Sequence, residues 1–268
     1  MQIPDCHIHT HFSPDSSMLP LEAVHAALQT GITTLCFTEH MDLGHHLDAF
    51  NRVPDFHKIH TSIQELQSNF PLLNICCGLE VGYISSSAKH TAEILFQEKL
   101  DYVLLSTHCV DGLDCYLPES KRRQDKITAY RRYLETLYAS VSDPVLWDCY
   151  DCIGHIGYIA KCRHYEDNSF PYDLFPDLFD TILLQIIKSG KGIEVNTSGL
   201  SRVDHLLPHP SIIARYHELG GRIITLGSDA HKPEQVGAYI RSAINTIRDC
   251  GFHEIATFHQ RKPQFHSI

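Results

Sequence analysis

The most constraining feature of this sequence is a regular alternation between short apolar runs and longer segments with helical periodicity. Seven runs are rich in Ile, Val, Leu and Cys and are mostly too short for helices, so we predict that they are strands. Such alternation is typical of repeated βα units around a mainly parallel sheet. The predicted strands are Asp5 to His9, Thr33 to His40, Leu73 to Glu80, Tyr102 to His108, Cys152 to His155, Gly192 to Asn196 and Ile223 to Asp229.

The amphipathic stretches between these runs are predicted to be helices. Several end at a glycine, which tolerates the left-handed backbone of a helix C-cap, and Pro233 suits a first helical turn. No linker, repeat or low-complexity segment interrupts the series, so we expect one domain over residues 1–268. The predicted helices are Leu21 to Leu28, Phe56 to Leu66, Ala88 to Leu100, Glu119 to Val141, Leu174 to Ile187, Ile212 to Leu219 and Pro233 to Cys250.

The composition limits the partners of the chain. The net charge is −10, from 32 acidic and 22 basic residues, which argues against a nucleic-acid partner but not against a small phosphate substrate. No apolar run approaches the roughly 18 residues of a membrane helix, and no signal-peptide pattern follows Met1. We therefore expect a cytoplasmic protein without a membrane partner, with its ten cysteines reduced.

Histidine and acidic residues recur at the C-terminal ends of the predicted strands. The chain has 20 histidines, and neutral imidazole is a common ligand for zinc, manganese and iron. Residues two apart on a strand share a face, so His7 and His9 can share an ion. The residues at or just beyond the strand ends are His7, His9, Glu39, His40, Glu80, His108, His155, Glu194, Asn196, Asp229 and His231.

This placement predicts a metal site, because the C-terminal mouth of a parallel barrel is where active sites form. A single buried histidine is more often a hydrogen-bonded core residue than a ligand. Accident would, however, have to place histidine or acid at nearly every strand end. The histidines outside the strand ends are expected to be mostly ordinary surface residues, among them His45, His46, His57, His60, His164, His205, His209, His217, His253, His259 and His266.

Seven motifs resemble the PHP (polymerase and histidinol phosphatase) family, specifically its histidinol-phosphatase branch. They span nearly the whole chain and read HIHTHFSPDSS, FTEHMD, GLEVGY, STHCVDGLDCY, GHIGY, GIEVNTSG and GSDAHKP. The resemblance implies an α/β fold, a distorted (βα)7 barrel, in agreement with the seven predicted strands. It also implies hydrolysis of L-histidinol phosphate to L-histidinol and phosphate, in histidine biosynthesis.

The same resemblance implies two to three divalent ions, of zinc, manganese or iron. Water held between two ions ionises near neutral pH and would supply a hydroxide nucleophile. Glu80 would bridge two ions, and we expect Glu80, Asp229 and His231 to be catalytic. The implied ligand groups are His7, His9, Glu80 and Asp229 for one ion, Glu80, His108 and His155 for a second, and Asp15, His40 and His231 for a third.

The sequence departs from the family pattern where substrate is expected to bind. Members of the branch read HLDY and then an Arg near the fifth strand, whereas this chain reads HIGY from His155. Lys161, Arg163 and Arg202 are each a candidate for binding the phosphate, with an ordinary surface charge as the alternative, and Asn196 is a further predicted substrate-binding residue. Candidate partners for the ammonium and imidazole of histidinol phosphate are the acids Asp42, Asp111, Asp114 and Glu119.

Other functions fit the same pattern less well. The chain could be a PHP phosphoesterase for phosphotyrosine peptides or nucleotides, a metal-dependent amidohydrolase, or a noncatalytic metal-binding module. The complete ligand set argues against the noncatalytic module. The sequence contains neither G-x-S-x-G nor G-x-x-x-x-G-K-[ST], so serine-hydrolase and P-loop chemistry are not predicted.

Overall fold

The protein forms an α/β barrel around one sheet of seven parallel strands. The computed structural model describes residues 2–116 and 124–268. Numbered along the chain, the sheet contains, in spatial order, β1 (Pro4–Ile8), β2 (Thr34–Met41), β3 (Asn74–Gly82), β4 (Tyr102–Ser106), β7 (Cys152–Ile153), β8 (Gly192–Asn196) and β9 (Ile224–Gly227). Two short strands between β4 and β7, β5 (Cys109–Val110) and β6 (Leu113–Asp114), form a hairpin.

The two edges of the sheet approach each other and nearly close the barrel. Ile8, at the end of β1, forms a parallel bridge with Ala230, just beyond β9. The backbone N–H of Asp229 also donates to the carbonyl of His7 at 2.8 Å. This closure confirms the predicted distorted seven-stranded barrel and brings the two ends of the sheet to the same mouth.

Helices cover the outside of the sheet. They are α1 (Pro20–Thr30), α2 (Phe56–Asn69), α3 (Ala88–Leu95), α4 (Lys126–Ser142), α5 (Pro176–Lys188), α6 (Pro210–Glu218) and α7 (Ile240–Asp249). Their buried faces follow helical spacing, as with Ile182 and Ile186 in α5. Within the described ranges, no helix is both long and apolar enough to span a bilayer.

A C-terminal hairpin joins an apolar cluster that includes cysteines from four barrel strands. Its strands, β10 (Glu254–His259) and β11 (Lys262–Ser267), pair antiparallel. Phe258 stacks on Tyr102 with ring centroids 5.0 Å apart. Arg261, in the hairpin turn, donates to Asp151 at 2.5 Å. The cluster beneath the hairpin contains Cys6, Cys36, Cys76, Tyr102, Leu104, Cys152, Ala256 and Phe258.

Several predicted helix boundaries are wrong. The segment from Pro233 begins as a 3-10 turn, and α7 starts only at Ile240. The reason is a long-range contact, since Gly237 adopts φ 73° while its N–H donates to Asp5 at 2.8 Å. Helix α3 ends at Leu95, before the predicted Leu100.

The predicted start of the fourth helix, at Glu119, lies outside the described residues. Residues 119–123 lie outside the described ranges, and α4 begins at Lys126. Asp125 caps it by accepting a hydrogen bond from the N–H of Thr128 at 2.9 Å. The helix therefore starts where a side-chain cap is available.

We expect the C-terminal hairpin to stabilise the barrel through Phe258. Replacing this buried ring in Phe258→Ala should lower the free energy of unfolding by about 3 to 5 kcal/mol, because it removes buried apolar surface and leaves a cavity. Phe265→Ala is the matched control, since Phe265 lies on the same hairpin and is 43% exposed. Urea denaturation measures both. Equal losses for the two variants would contradict the proposed contact with the barrel.

Candidate metal centre

Glu80 lies at the centre of the C-terminal mouth, at the end of β3, and is 1% exposed. Its Oε2 atom is 3.3 Å from His7 Nε2 and 3.4 Å from His9 Nε2. Its Oε1 atom is 3.1 Å from His108 Nε2 and 2.7 Å from His155 Nε2. His40 Nδ1 also lies 3.1 Å from Oε2, so the two carboxylate oxygens face two different sets of imidazoles.

Asp229 joins the first imidazole pair from the other edge of the sheet. Its Oδ1 atom is 3.7 Å from His7 Nε2 and 3.5 Å from His9 Nε2, and these two nitrogens are 3.0 Å apart. A tetrahedral ion with bonds of about 2.0 to 2.1 Å separates its ligand atoms by about 3.3 to 3.4 Å. The spacing of these three side chains is close to that separation.

A further group lies nearer to solvent. Asp15 Oδ2 is 3.0 Å from His231 Nε2 and 3.5 Å from His40 Nε2. The His9 ring stacks against both of these imidazoles, with centroids 4.2 Å from His40 and 4.4 Å from His231. The compact ligand groups are His7–His9–Asp229, His9–His40–His231 and His40–Glu80–His108.

The unpaired atoms of the cluster fit a bound cation. Among the residues that the structure describes, Glu80 Oε2 is buried and lacks a hydrogen-bond partner, although three imidazoles surround it. Such an orphaned acceptor is costly unless a cation compensates for it. The structure thus brings the predicted ligands together, and the assignment of each side chain to a particular ion stays a prediction.

Two buried acids orient the imidazoles from behind. His7 Nδ1 lies 2.6 Å from Glu194 Oε1, and His108 Nδ1 lies 2.7 Å from Asp42 Oδ2. A carboxylate accepts a hydrogen bond from Nδ1–H, so Nε2 is the nitrogen that each ring directs to the cluster and that would lose its proton to bind a metal ion. The ring of His231 is oriented in the same way, because its Nδ1 lies 2.9 Å from the carbonyl oxygen of Asp229.

Glycines make room for these acids. A Cβ atom at Gly227 would collide with Glu194 and with His7, and one at Gly82 would collide with Asp42. The N–H of Gly82 instead donates to Asp42 Oδ1 at 2.8 Å. The close approach of backbone to carboxylate therefore explains the second glycine of GLEVGY, Gly82, and the glycine of GSDAHKP, Gly227.

The carboxylates and imidazoles of the cluster shift one another's pKa values. Burial raises the pKa of the Glu80 carboxyl, but His7 and His108 outweigh it and hold this pKa well below its usual range. Burial lowers the pKa of His7, but Glu194 and Glu80 raise it well above its usual value. A metal ion must displace such protons from imidazole, so binding should weaken as the pH falls.

A cavity of about 460 Å³ opens over the cluster. Lys161 lines it, with Nζ 2.6 Å from Asp229 Oδ2, and Arg202 lines it with its guanidinium 5.9 Å from the Tyr116 ring centroid. Burial lowers the pKa of Lys161, but Asp229 outweighs it and the pKa is raised, so this lysine is a cation. Lys232 is a third basic residue in the lining, and the acidic and aromatic groups outside the ligand cluster are Asp42, Phe50, Asp114, Tyr116 and Tyr158.

Other predicted substrate-binding residues lie elsewhere. Arg163 is exposed and is not among the residues that line the cavity. Asn196 is fully buried, donates to Glu194 at 3.2 Å and accepts from Ser198 N–H at 3.0 Å. Asn196 thus caps the turn Thr197–Ser201 instead of facing the cavity.

The acids predicted to bind the histidinol end lie in different surroundings. Asp42 already bonds His108 and Gly82, and exposed Asp111 pairs with Arg132. Asp114 lines the cavity, whereas Glu119 lies outside the described residues. Asp114 is therefore the candidate that the described residues retain.

Sequence reasoning missed the orienting role of Asp42 and Glu194. Both belong to the same residue types as the ligands, so only contacts across the barrel distinguish them. It also treated His45 as a surface residue, although this side chain is 3% exposed. Glu39, at a strand end, bonds Thr10 and Ser13 and supports the loop after β1.

Comparison with known proteins identifies the family. A family model described as PHP domain matches residues 5–198, which is more than half of the chain. The chain belongs to the PHP domain family. A relative from Clostridium acetobutylicum, named probable histidinol-phosphatase, is 30% identical over 254 residues, covering 94% of this chain and 95% of the relative. Histidinol-phosphatase from Lactococcus lactis subsp. lactis is 29% identical over 262 residues, covering 95% of this chain and 93% of the relative.

Solved structures agree with this PHP assignment. Histidinol phosphate phosphatase from Lactococcus lactis, complexed with Zn, L-histidinol and phosphate, superposes with a TM-score of 0.89 at 27% identity, covering 98% of this chain and 99% of that chain. A structure from Listeria monocytogenes gives a TM-score of 0.77 at 21% identity and supports the fold. The predicted family and its histidinol-phosphatase branch are confirmed.

We expect Glu194→Gln to weaken zinc binding by about 10- to 100-fold without unfolding the protein, because one carboxylate oxygen becomes an amide donor. An amide N–H facing His7 Nδ1 would favour the tautomer whose Nε2 carries the proton. Competition with a chelator measures the change. Asp151→Asn is the control, since it removes a buried acid that bonds Arg261 in the C-terminal hairpin. Zinc affinity unchanged in Glu194→Gln would refute the orienting role.

Proposed function

We propose that this PHP domain is a phosphoric monoester hydrolase that converts L-histidinol phosphate to L-histidinol and phosphate. The observation that carries the proposal is a single cavity in which the Glu80-centred cluster, three basic side chains (Lys161, Arg202 and Lys232) and several acidic and aromatic groups face the same space. The likeness to histidinol-phosphatases over nearly the full chain supports the substrate.

The metal requirement follows from the donor set. We propose two to three divalent ions at the cluster, with zinc favoured because nitrogen and carboxylate donors suit it, and manganese or iron as alternatives. When bound, such ions supply a nucleophile from water near neutral pH and offset charge on the phosphate oxygens. Glu80, Asp229 and His231 hold them in place and are catalytic in that sense.

The basic residues of the cavity suit the phosphate end of the substrate. Lys161 lies against Asp229, so a phosphate that approaches the cluster meets its ammonium directly. Arg202, at the C-terminal end of the turn after β8, and Ser198, within that turn, also line the cavity. Charge-assisted hydrogen bonds from these groups would orient the phosphorus for attack.

The acidic and aromatic wall suits the histidinol end. Asp114 can accept from an ammonium or an imidazole N–H, and its Oδ1 atom is already fixed by the N–H of Tyr116 at 2.6 Å. The Tyr158 and Phe50 rings line the same cavity and offer flat apolar surface to an imidazole. We further propose a role in histidine biosynthesis in the cytoplasm, carried out by one domain over residues 1–268.

The phosphate contact predicts a contrast between two neighbouring basic residues. Loss of one charge-assisted contact costs roughly 1.5 to 3 kcal/mol, so Lys161→Ala should lower kcat/KM by ~10- to 150-fold for histidinol phosphate and for an aryl phosphate alike. Arg163→Ala should remain near the parent value, because Arg163 is exposed and outside the cavity lining. Steady-state kinetics of both variants on both substrates measure these changes in kcat/KM. A larger loss in Arg163→Ala would reverse the assignment.

The histidinol end predicts a substrate-dependent loss. The parent enzyme should prefer histidinol phosphate to an aryl phosphate, and Asp114→Asn should lower kcat/KM by ~10-fold or more for histidinol phosphate only. Asp111→Asn is the control, since that exposed acid pairs with Arg132. Asp42→Asn should instead reduce both activities, because Asp42 orients His108. A parent enzyme without preference for histidinol phosphate would rule out this substrate.

A further inference from the structure

We propose that His45, His46 and Cys109 form a separate zinc site beside the mouth of the barrel. One ligand atom from each residue lies within 4.8 Å of the others. We call these three residues the His45 cluster. It shares no ligand with the Glu80-centred cluster and does not depend on the proposed phosphatase activity.

Two short segments build the His45 cluster. The N–H of His45 donates to the carbonyl of Asp42 at 3.0 Å, which closes a turn after β2. Gly44 has φ 88°, the positive value that a type II turn needs at its third residue. Cys109 begins β5, directly after His108. The turn and the β5–β6 hairpin therefore hold the three side chains together.

The burial of His45 points to a ligand. In the part of the chain that the structure describes, its Nε2 atom is buried without a hydrogen-bond partner. The nearest acid oxygen, Asp114 Oδ2, is 3.4 Å away. The exposed His46 ring stacks on His45 with centroids 4.6 Å apart, so the cluster has one solvent-facing side through which an ion could enter.

The donors select the kind of ion. Two imidazoles and a thiolate suit zinc and leave a fourth position for water. Cys109 would bind as a thiolate and release its proton to solvent. His45 Nδ1 accepts from the N–H of Leu47 at 3.1 Å. A metal ion bound at Nδ1 would use the lone pair that accepts this hydrogen bond, and an ion bound at Nε2 would leave the proton on Nδ1. In either case a metal bond would replace the hydrogen bond from Leu47.

Such an ion would tie together two walls of the cavity. Leu47 and Phe50 line the cavity from the segment after the turn, and Asp114 and Tyr116 line it from the hairpin. Zinc at the His45 cluster would crosslink these segments. The site is thus placed to stiffen the mouth without sharing a ligand with the Glu80-centred cluster.

Cobalt gives a direct test, because a thiolate ligand produces an intense near-ultraviolet charge-transfer band and the Glu80-centred cluster has only nitrogen and oxygen donors. Metal-free protein, full length, is titrated with cobalt. We expect this band to appear in the parent and to disappear in Cys109→Ser. His46→Ala should need at least about tenfold more cobalt for the same band. Cys250→Ser, with its sulfur near Pro210, should match the parent.

The outcomes are decisive in both directions. No charge-transfer band at cobalt saturation in the parent would overturn the site, as would a band that persists in Cys109→Ser. Should Cys109→Ser fail to fold, His46→Ala decides alone, because its side chain is exposed and unchanged cobalt affinity would refute the proposal. Phosphatase activity is not needed for either result, so failure here leaves the proposed function untouched.

Discussion

A buried carboxylate surrounded by imidazoles is the interaction on which the mouth of this barrel depends. Glu80 is 1% exposed, with three histidine nitrogens around one of its oxygens and two around the other. Without cations, such an arrangement leaves polar atoms buried and unpaired, which lowers the stability of the folded state. The strands, the orienting acids and the glycines all serve to place these donors around one point, which is the geometry that divalent ions require.

The barrel makes this arrangement possible because neighbouring parallel strands end at one mouth. β1 and β9 close the sheet, so His7 and Asp229 meet although they lie at opposite ends of the sequence. Behind them, Glu194 contacts both His7 and the backbone N–H of His155 and thereby links the two halves of the cluster. Lys161 adds a cation beside Asp229, and both residues line the cavity over the cluster.

The sequence predicted the elements whose signals are local. Seven apolar runs with ligands at their ends anticipated the barrel and the position of the cluster. The predicted start of α7 was wrong, because Asp5, which is distant in sequence, accepts a hydrogen bond from Gly237 and holds it outside the helix. The C-terminal hairpin was missed because β11 is largely exposed and has no apolar run. The separate roles of Lys161 and Arg163 also could not be predicted, since two residues of spacing in a turn decide which one faces the cavity.

The central claim is that Glu80 joins more than one ion, and metal content tests it most directly. Glu80→Gln, His40→Ala and His108→Ala should be purified, reloaded with zinc and analysed for bound metal against the parent, with circular dichroism to confirm the fold. The account predicts that Glu80→Gln loses more zinc per chain than either histidine variant, because it removes a charge and a shared ligand together. An equal or smaller loss in Glu80→Gln would contradict it.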